Sequence, residues 1–145
     1  MKRVAMLFAS LVLFAVMGSS FAQDVKPYRE GHVTEVSFIK IKPGQFNNYL
    51  KYLDGPYKAA MEASKKAGLI TGYSVFESQA RSPQDADVIL TVDYPNMAAL
   101  DRTDEADAIM AKVMGSLATQ DKAAMDRESM RELIGSQLIR ELVLK

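Results

Sequence analysis

The sequence predicts an α+β domain in which a four-stranded antiparallel sheet carries its helices on one face. Three observations predict it. Runs rich in β-branched and aromatic residues, at 32–42, 70–78, 88–94 and 138–145, read as strands. Apolar residues recur at helical spacing after the first strand and again after the third. Pro, Gly and Asn stand at the junctions, where elements start and stop. The resulting order is strand, helix, strand, strand, helices, strand.

The first strand, His32 to Lys42, holds Val33, Val36, Phe38, Ile39 and Ile41 on both parities, so both of its faces are expected to be covered by protein. Pro43 ends it, having no N–H for the ladder. Phe46, Tyr49, Leu50 and Leu53 then keep helical phase, and Tyr57, Ala60, Met61 and Ser64 resume it beyond Asp54-Gly55-Pro56. One helix kinked at Pro56 is expected, with Tyr49 and Tyr57 packing on its apolar face. Gly68 followed by Leu69 is a left-handed C-cap with its apolar contact. The strands at 70–78 and 88–94 flank a Ser-, Pro- and Asp-rich loop. Asn96 is placed to cap a short helical turn, and Thr103 a longer helix striped by Ala106, Ile109, Met110, Val113 and Leu117. Residues 118–128 extend that helix in a more exposed form, Ser129 to Ile134 add a last turn before Gly135, and Leu138 to Lys145 close the sheet.

Residues 1–22 are expected to be a signal peptide. Lys2 and Arg3 precede an apolar run from Val4 to Met17, and Ser20-Phe21-Ala22 offers a cleavage site after Ala22. The run is shorter than the roughly 20 residues of a bilayer span. Residues 23–31 read as a flexible lead-in and 32–145 as one domain. Cleavage removes two of the 18 basic residues and none of the 18 acidic ones, leaving a formal charge of −2. That balance supports neither nucleic-acid binding nor membrane binding after cleavage. The chain has no cysteine, which excludes disulfides, thiolate metal sites, a catalytic thiol and a lipid-modified N-terminal Cys. A periplasmic or secreted location is expected.

The element order is that of a ferredoxin-like fold, β-α-β-β-α-β. With VTEVSFIKIKPG, the helix QFNNYLKYLDGPYKAAMEASKKAG, the strands ITGYSVFES and DVILTVDYP, and the closing QLIRELVLK, the chain resembles the dimeric α/β-barrel superfamily over residues 32–145. The resemblance implies two subunits paired sheet to sheet as a homodimer around a small-molecule cavity. The haem-binding members share a helical His ligand, whereas His32, the only histidine here, stands at a strand start. Cofactor-free monooxygenases of the superfamily often use cavity His and Trp residues, and this chain has no Trp. No cofactor is implied.

The residues themselves offer little chemistry. His32 and Glu35 have a ligand spacing only on a helix, since on a strand they point to opposite faces; no metal site is expected. Asp101, Asp104, Glu105 and Asp107 suit a helix N-terminus, and Asp85 and Asp87 a turn. The methionines at 110, 114, 125 and 130 read as core filler. No nucleophile-elbow, dinucleotide or phosphate-loop motif occurs, so no reaction is assigned. One constellation stands out. With Val36 and Phe38 given to the core, Glu35 and Ser37 take the opposite parity, as do Thr91 and Asp93 on the neighbouring third strand. These four, with Tyr73 or Glu77 nearby, are expected to line a cavity on the dimer side. Two functions follow: an exported homodimer that binds or transforms a small organic molecule, or a non-catalytic structural or interaction protein of the periplasm.

Overall fold

A computed structural model describes residues 26–145, and the expected leader lies outside the described residues. The elements run β1 (Tyr28–Ile41), α1 (Phe46–Tyr52), a π-helical turn (Leu53–Tyr57), α2 (Lys58–Lys66), β2 (Gly72–Glu77), β3 (Val88–Tyr94), a 3-10 turn (Met97–Asp101), α3 (Thr103–Met114), α4 (Leu117–Met130) and β4 (Arg131–Leu144). The strands form one antiparallel sheet in the order β2-β3-β1-β4. Long strands and an interrupted second helix are the main departures from expectation, and each has a physical cause.

β1 begins at Tyr28, inside the expected lead-in, because Tyr28, Arg29 and Glu30 pair with Leu144, Val143 and Leu142. β4 likewise starts at Arg131 and takes in Glu132 to Ile134, which were expected to be helical. Leu133 and Glu132 pair with Ile39 and Lys40, and a register shift follows at Phe38/Ile39. Pairing with a central strand outweighs the weak local preference of a short apolar run.

The first helix is two helical runs joined across a kink at Gly55-Pro56. Gly55 takes φ −98° and ψ −105°, outside helical space, and the wide turn accommodates the proline ring. At its end Gly68, at φ 69°, donates to Lys65 O while Leu69 donates to Ser64 O, both at 3.0 Å. That pair of bonds is a Schellman cap. Asn96 caps the 3-10 turn by accepting from Ala99 N at 3.1 Å.

Thr103 caps nothing. It is the first residue of α3, and the preceding Arg102 makes no side-chain cap. Its guanidinium instead clamps Glu105 through two bonds of 2.8 and 2.6 Å and reaches Gly68 O at 2.9 Å, tying α3 to the end of α2. The expected stripe through Leu117 is broken as well. Gly115, at φ 86°, stops α3, Ser116 accepts from Thr119 N to start α4, and Leu117 is 77% exposed. Met125 is also exposed rather than core filler, whereas Met130 packs against the core.

The core lies between the sheet and the first helix. Ile39, Tyr49, Leu53 and Val88 are its buried centre, with Leu50, Tyr57 and Leu90 packed around them. Tyr49 and Tyr57 therefore pack as their phase predicts. No helix among the described residues is long and apolar enough to cross a membrane.

Candidate functional site

Register decides which residues share a face. Cross-strand partners in an antiparallel pair point to the same side. On β1, Val33 (0% exposed) and Ile39 (1%) face the helices, so Glu35 and Ser37 share that covered face. Their partners are Val92 and Leu90. Thr91 pairs with Val36, and Asp93 with Thr34, on the opposite, open face. The predicted constellation is thus divided by the sheet. Tyr73 and Glu77, opposite Val92 and Val88, also take the helix-side parity, where Tyr73 donates to Glu62 at 2.7 Å and Glu77 is exposed. The error was the core parity of β1: with apolar residues on both parities, its sequence gave the core to Val36 and Phe38, whereas the helices press on Val33 and Ile39.

On the covered side, Glu35 lines a cavity of about 280 Å³ between the sheet and the α2–α3 pair. Met61, Leu69, Ile70, Val92 and Met110 supply apolar walls. Tyr94 Oη donates to Glu35 Oε2 at 3.3 Å, and burial, reinforced by the Glu35 charge and this hydrogen bond, pushes the phenol up to about 12. A neutral phenol beside a carboxylate presents a donor and an acceptor side by side in an apolar enclosure. Tyr94 was not among the expected cavity residues, and its polar role depends on the Glu35 register.

A second, smaller cavity of about 110 Å³ lies on the same face and shares no lining residue with the first. Ser37, Tyr49, Tyr52, Tyr57, Arg127 and Arg131 are its polar lining residues. Arg127 and Arg131 were overlooked because the sequence places them in an exposed helix and its final turn. They flank the α4–β4 junction instead, and Arg131 is only 7% exposed.

On the open face, Asp93 accepts from Thr34 Oγ1 at 2.5 Å. Phe76, Ile134 and Ile139 remain half-exposed elsewhere on this face, with Val36, Phe38 and Ile89 less exposed. His32 is half-exposed at the far end of β1, its Nδ1 2.9 Å from Glu141 Oε2, in an open hollow of about 570 Å³ whose Arg140 is paired with Glu30 at 2.8 Å. Among the described residues, no group of three or more His, Cys, Asp or Glu side chains is placed to hold a metal ion. Asp85 and Asp87 are structural, Asp85 taking the Arg81 and Ser82 amides and Asp87 the Ile41 amide and the Lys40 ammonium.

No protein-family model and no curated protein matches the chain. Solved structures do. HapK from Hahella chejuensis is similar with a TM-score of 0.51 at 15% identity, over 76% of this chain and 92% of HapK. A dimeric ferredoxin-like protein from an uncultured marine organism is similar with a TM-score of 0.50 at 12% identity, over 81% of this chain and 98% of its own. The fold is ferredoxin-like. Its strand order, its antiparallel pairing and the helices on one face are those of that fold. At such identities the likeness carries the fold and no activity.

Proposed function

We propose that the chain is an exported homodimer that binds a small organic molecule between its sheet and the α2–α3 pair. The Glu35–Tyr94 pair, set among apolar walls in a cavity of about 280 Å³, carries this reading. Apolar walls supply contact area and a few convergent polar groups fix orientation, the usual division of labour in a ligand pocket. The site expected on the dimer side is moved under the helices in this reading. Mass spectrometry of protein purified from its native compartment should find a retained small molecule. Ala106→Phe, which projects a ring from α3 into the cavity, should abolish its retention. Protein that comes out empty, or an unchanged ligand in the filled variant, overturns the reading.

The open sheet face supports the homodimer. Phe76 and Ile139, 51% and 50% exposed, lie on the face that no element among the described residues covers, and apolar patches of this kind are uncommon on soluble monomers. The marine structural neighbour is itself described as dimeric. Export rests on the charged, apolar and small-residue order of residues 1–22. The exported protein should begin at Gln23, and mature material that still carries Met1 removes the periplasmic assignment.

A further inference from the structure

We propose that the cavity at the α4–β4 junction binds the carboxylate head of a small organic monoanion, held by Arg127, Arg131 and Tyr57. Three buried donors on its lining residues, Tyr57 Oη, Arg127 Nε and Arg131 Nε, make no hydrogen bond within the described protein. Leaving such a group unpaired costs about 1–3 kcal/mol, and more when it is charged, so three around one cavity point to a common acceptor.

The guanidiniums are only partly engaged. Arg127 donates Nη1 to Tyr52 Oη at 3.2 Å, and Arg131 donates Nη2 to Glu128 Oε1 at 2.9 Å. In Arg127 the edge formed by Nε and Nη2 is left, the side-on fork that matches a carboxylate bidentately. Glu128 Oε1 lies 3.9 Å from that Nε, beyond hydrogen-bond reach, and its side chain is half-exposed. Burial raises the Tyr57 phenol well above its ordinary value, with Tyr49 the next influence, so the hydroxyl stays a neutral donor.

Charge and size choose among anions. Two guanidiniums against the single Glu128 carboxylate leave one positive charge, which a monoanion neutralises and a phosphate dianion exceeds. The volume equals the share of roughly three or four waters at about 30 Å³ each, enough for a carboxylate and a short stub. Ile39, Leu90 and Leu133 give that stub apolar walls.

The test is a titration of the full mature protein with acetate and propionate, followed by NMR at the arginine Nε–H and tyrosine ring signals. Saturable shifts confined to Arg127, Arg131 and Tyr57 are expected, with chloride inert at matched ionic strength. Tyr57→Phe keeps the ring packing and should weaken carboxylate binding about tenfold, the effect of one hydrogen bond to a charged group. The wild-type titration suffices to overturn the proposal: unsaturated drift in the millimolar range, or inorganic phosphate binding as tightly as acetate, rejects it. So does a Tyr57→Phe protein of wild-type affinity. Because the two cavities share no residue, these outcomes leave the Glu35–Tyr94 reading to its own test.

Discussion

Tyr94 holds its hydroxyl proton through effects that a substitution can separate. Burial is the largest, and the charge of Glu35 and the 3.3 Å hydrogen bond add to it. Glu35→Gln should therefore lower the Tyr94 pKa from about 12 while leaving it above the ordinary 10.0, because burial persists. Ring-carbon NMR across the alkaline range measures this, and an unmoved Tyr94 would separate the phenol from Glu35. Asp87 works in the opposite direction. Its burial pushes the carboxyl up, but the Ile41 amide and the Lys40 ammonium outweigh that and hold it below 3.8. A carboxyl depressed in the folded state contributes stability above its unfolded value, and that stability is lost as pH falls through the folded one. The stability gap between wild type and Asp87→Asn should therefore close as pH drops below about 3.8, as read by urea unfolding at stepped pH. A gap constant through that range would mean that the Asp87 charge does not strap β1 to the β3 entry.

The element that sets the cavity roof is the long first helix. Pro56 makes its wide turn, and the Schellman cap at Gly68 stops it so that Leu69 and Ile70 turn inward as buried residues. A Cβ on Gly68 would meet no atom within 4 Å, so the whole effect of Gly68→Ala lies in its φ of 69°. The expected loss is about 1 kcal/mol, measured by chemical denaturation, with little change in the denaturant slope. A neutral Gly68→Ala would mean that the cap relaxes without strain. The same carbonyl that ends this helix, Gly68 O, receives Arg102 from the α3 start, so the roof of the cavity is one connected unit. Arg102 also holds Glu105 below its usual carboxylate range by hydrogen bonding.

At the scale of the whole sheet, the described residues cover one face only. Helices cover the Val33–Ile39 parity, and the Val36–Phe38 parity with Phe76, Ile89, Ile134 and Ile139 is left to another surface. If a second copy covers it, a charge placed there should separate the subunits. Ile139→Glu is expected to convert the protein to monomer by analytical ultracentrifugation while leaving its far-UV circular dichroism unchanged. A wild-type protein already monomeric at micromolar concentration would overturn the homodimer, and an Ile139→Glu dimer would move the interface off this face.

The local part of the fold was legible from residue order alone. Pro43, Pro56, Gly68 and Asn96 act through their own backbone chemistry within a few residues, so the kink, the caps and the strand 88–94 could be read directly. The strand order followed from the β-α-β-β-α-β succession, because short connections permit few alternatives. What tertiary structure decided was every assignment that depends on register. β1 is apolar on both parities, so only its pairing with β3 and the press of the first helix assign Val33, Glu35, Ser37 and Ile39 to the covered side. The same holds for Arg131, which becomes a buried strand residue through its pairing with Ile41. A one-residue choice of parity moves every side chain of a strand to the other face, and sequence carries no term for that choice when both faces are apolar. The split of Glu35 and Ser37 from Thr91 and Asp93, and the meeting of Tyr57 with Arg127 and Arg131, are consequences of long-range pairing alone.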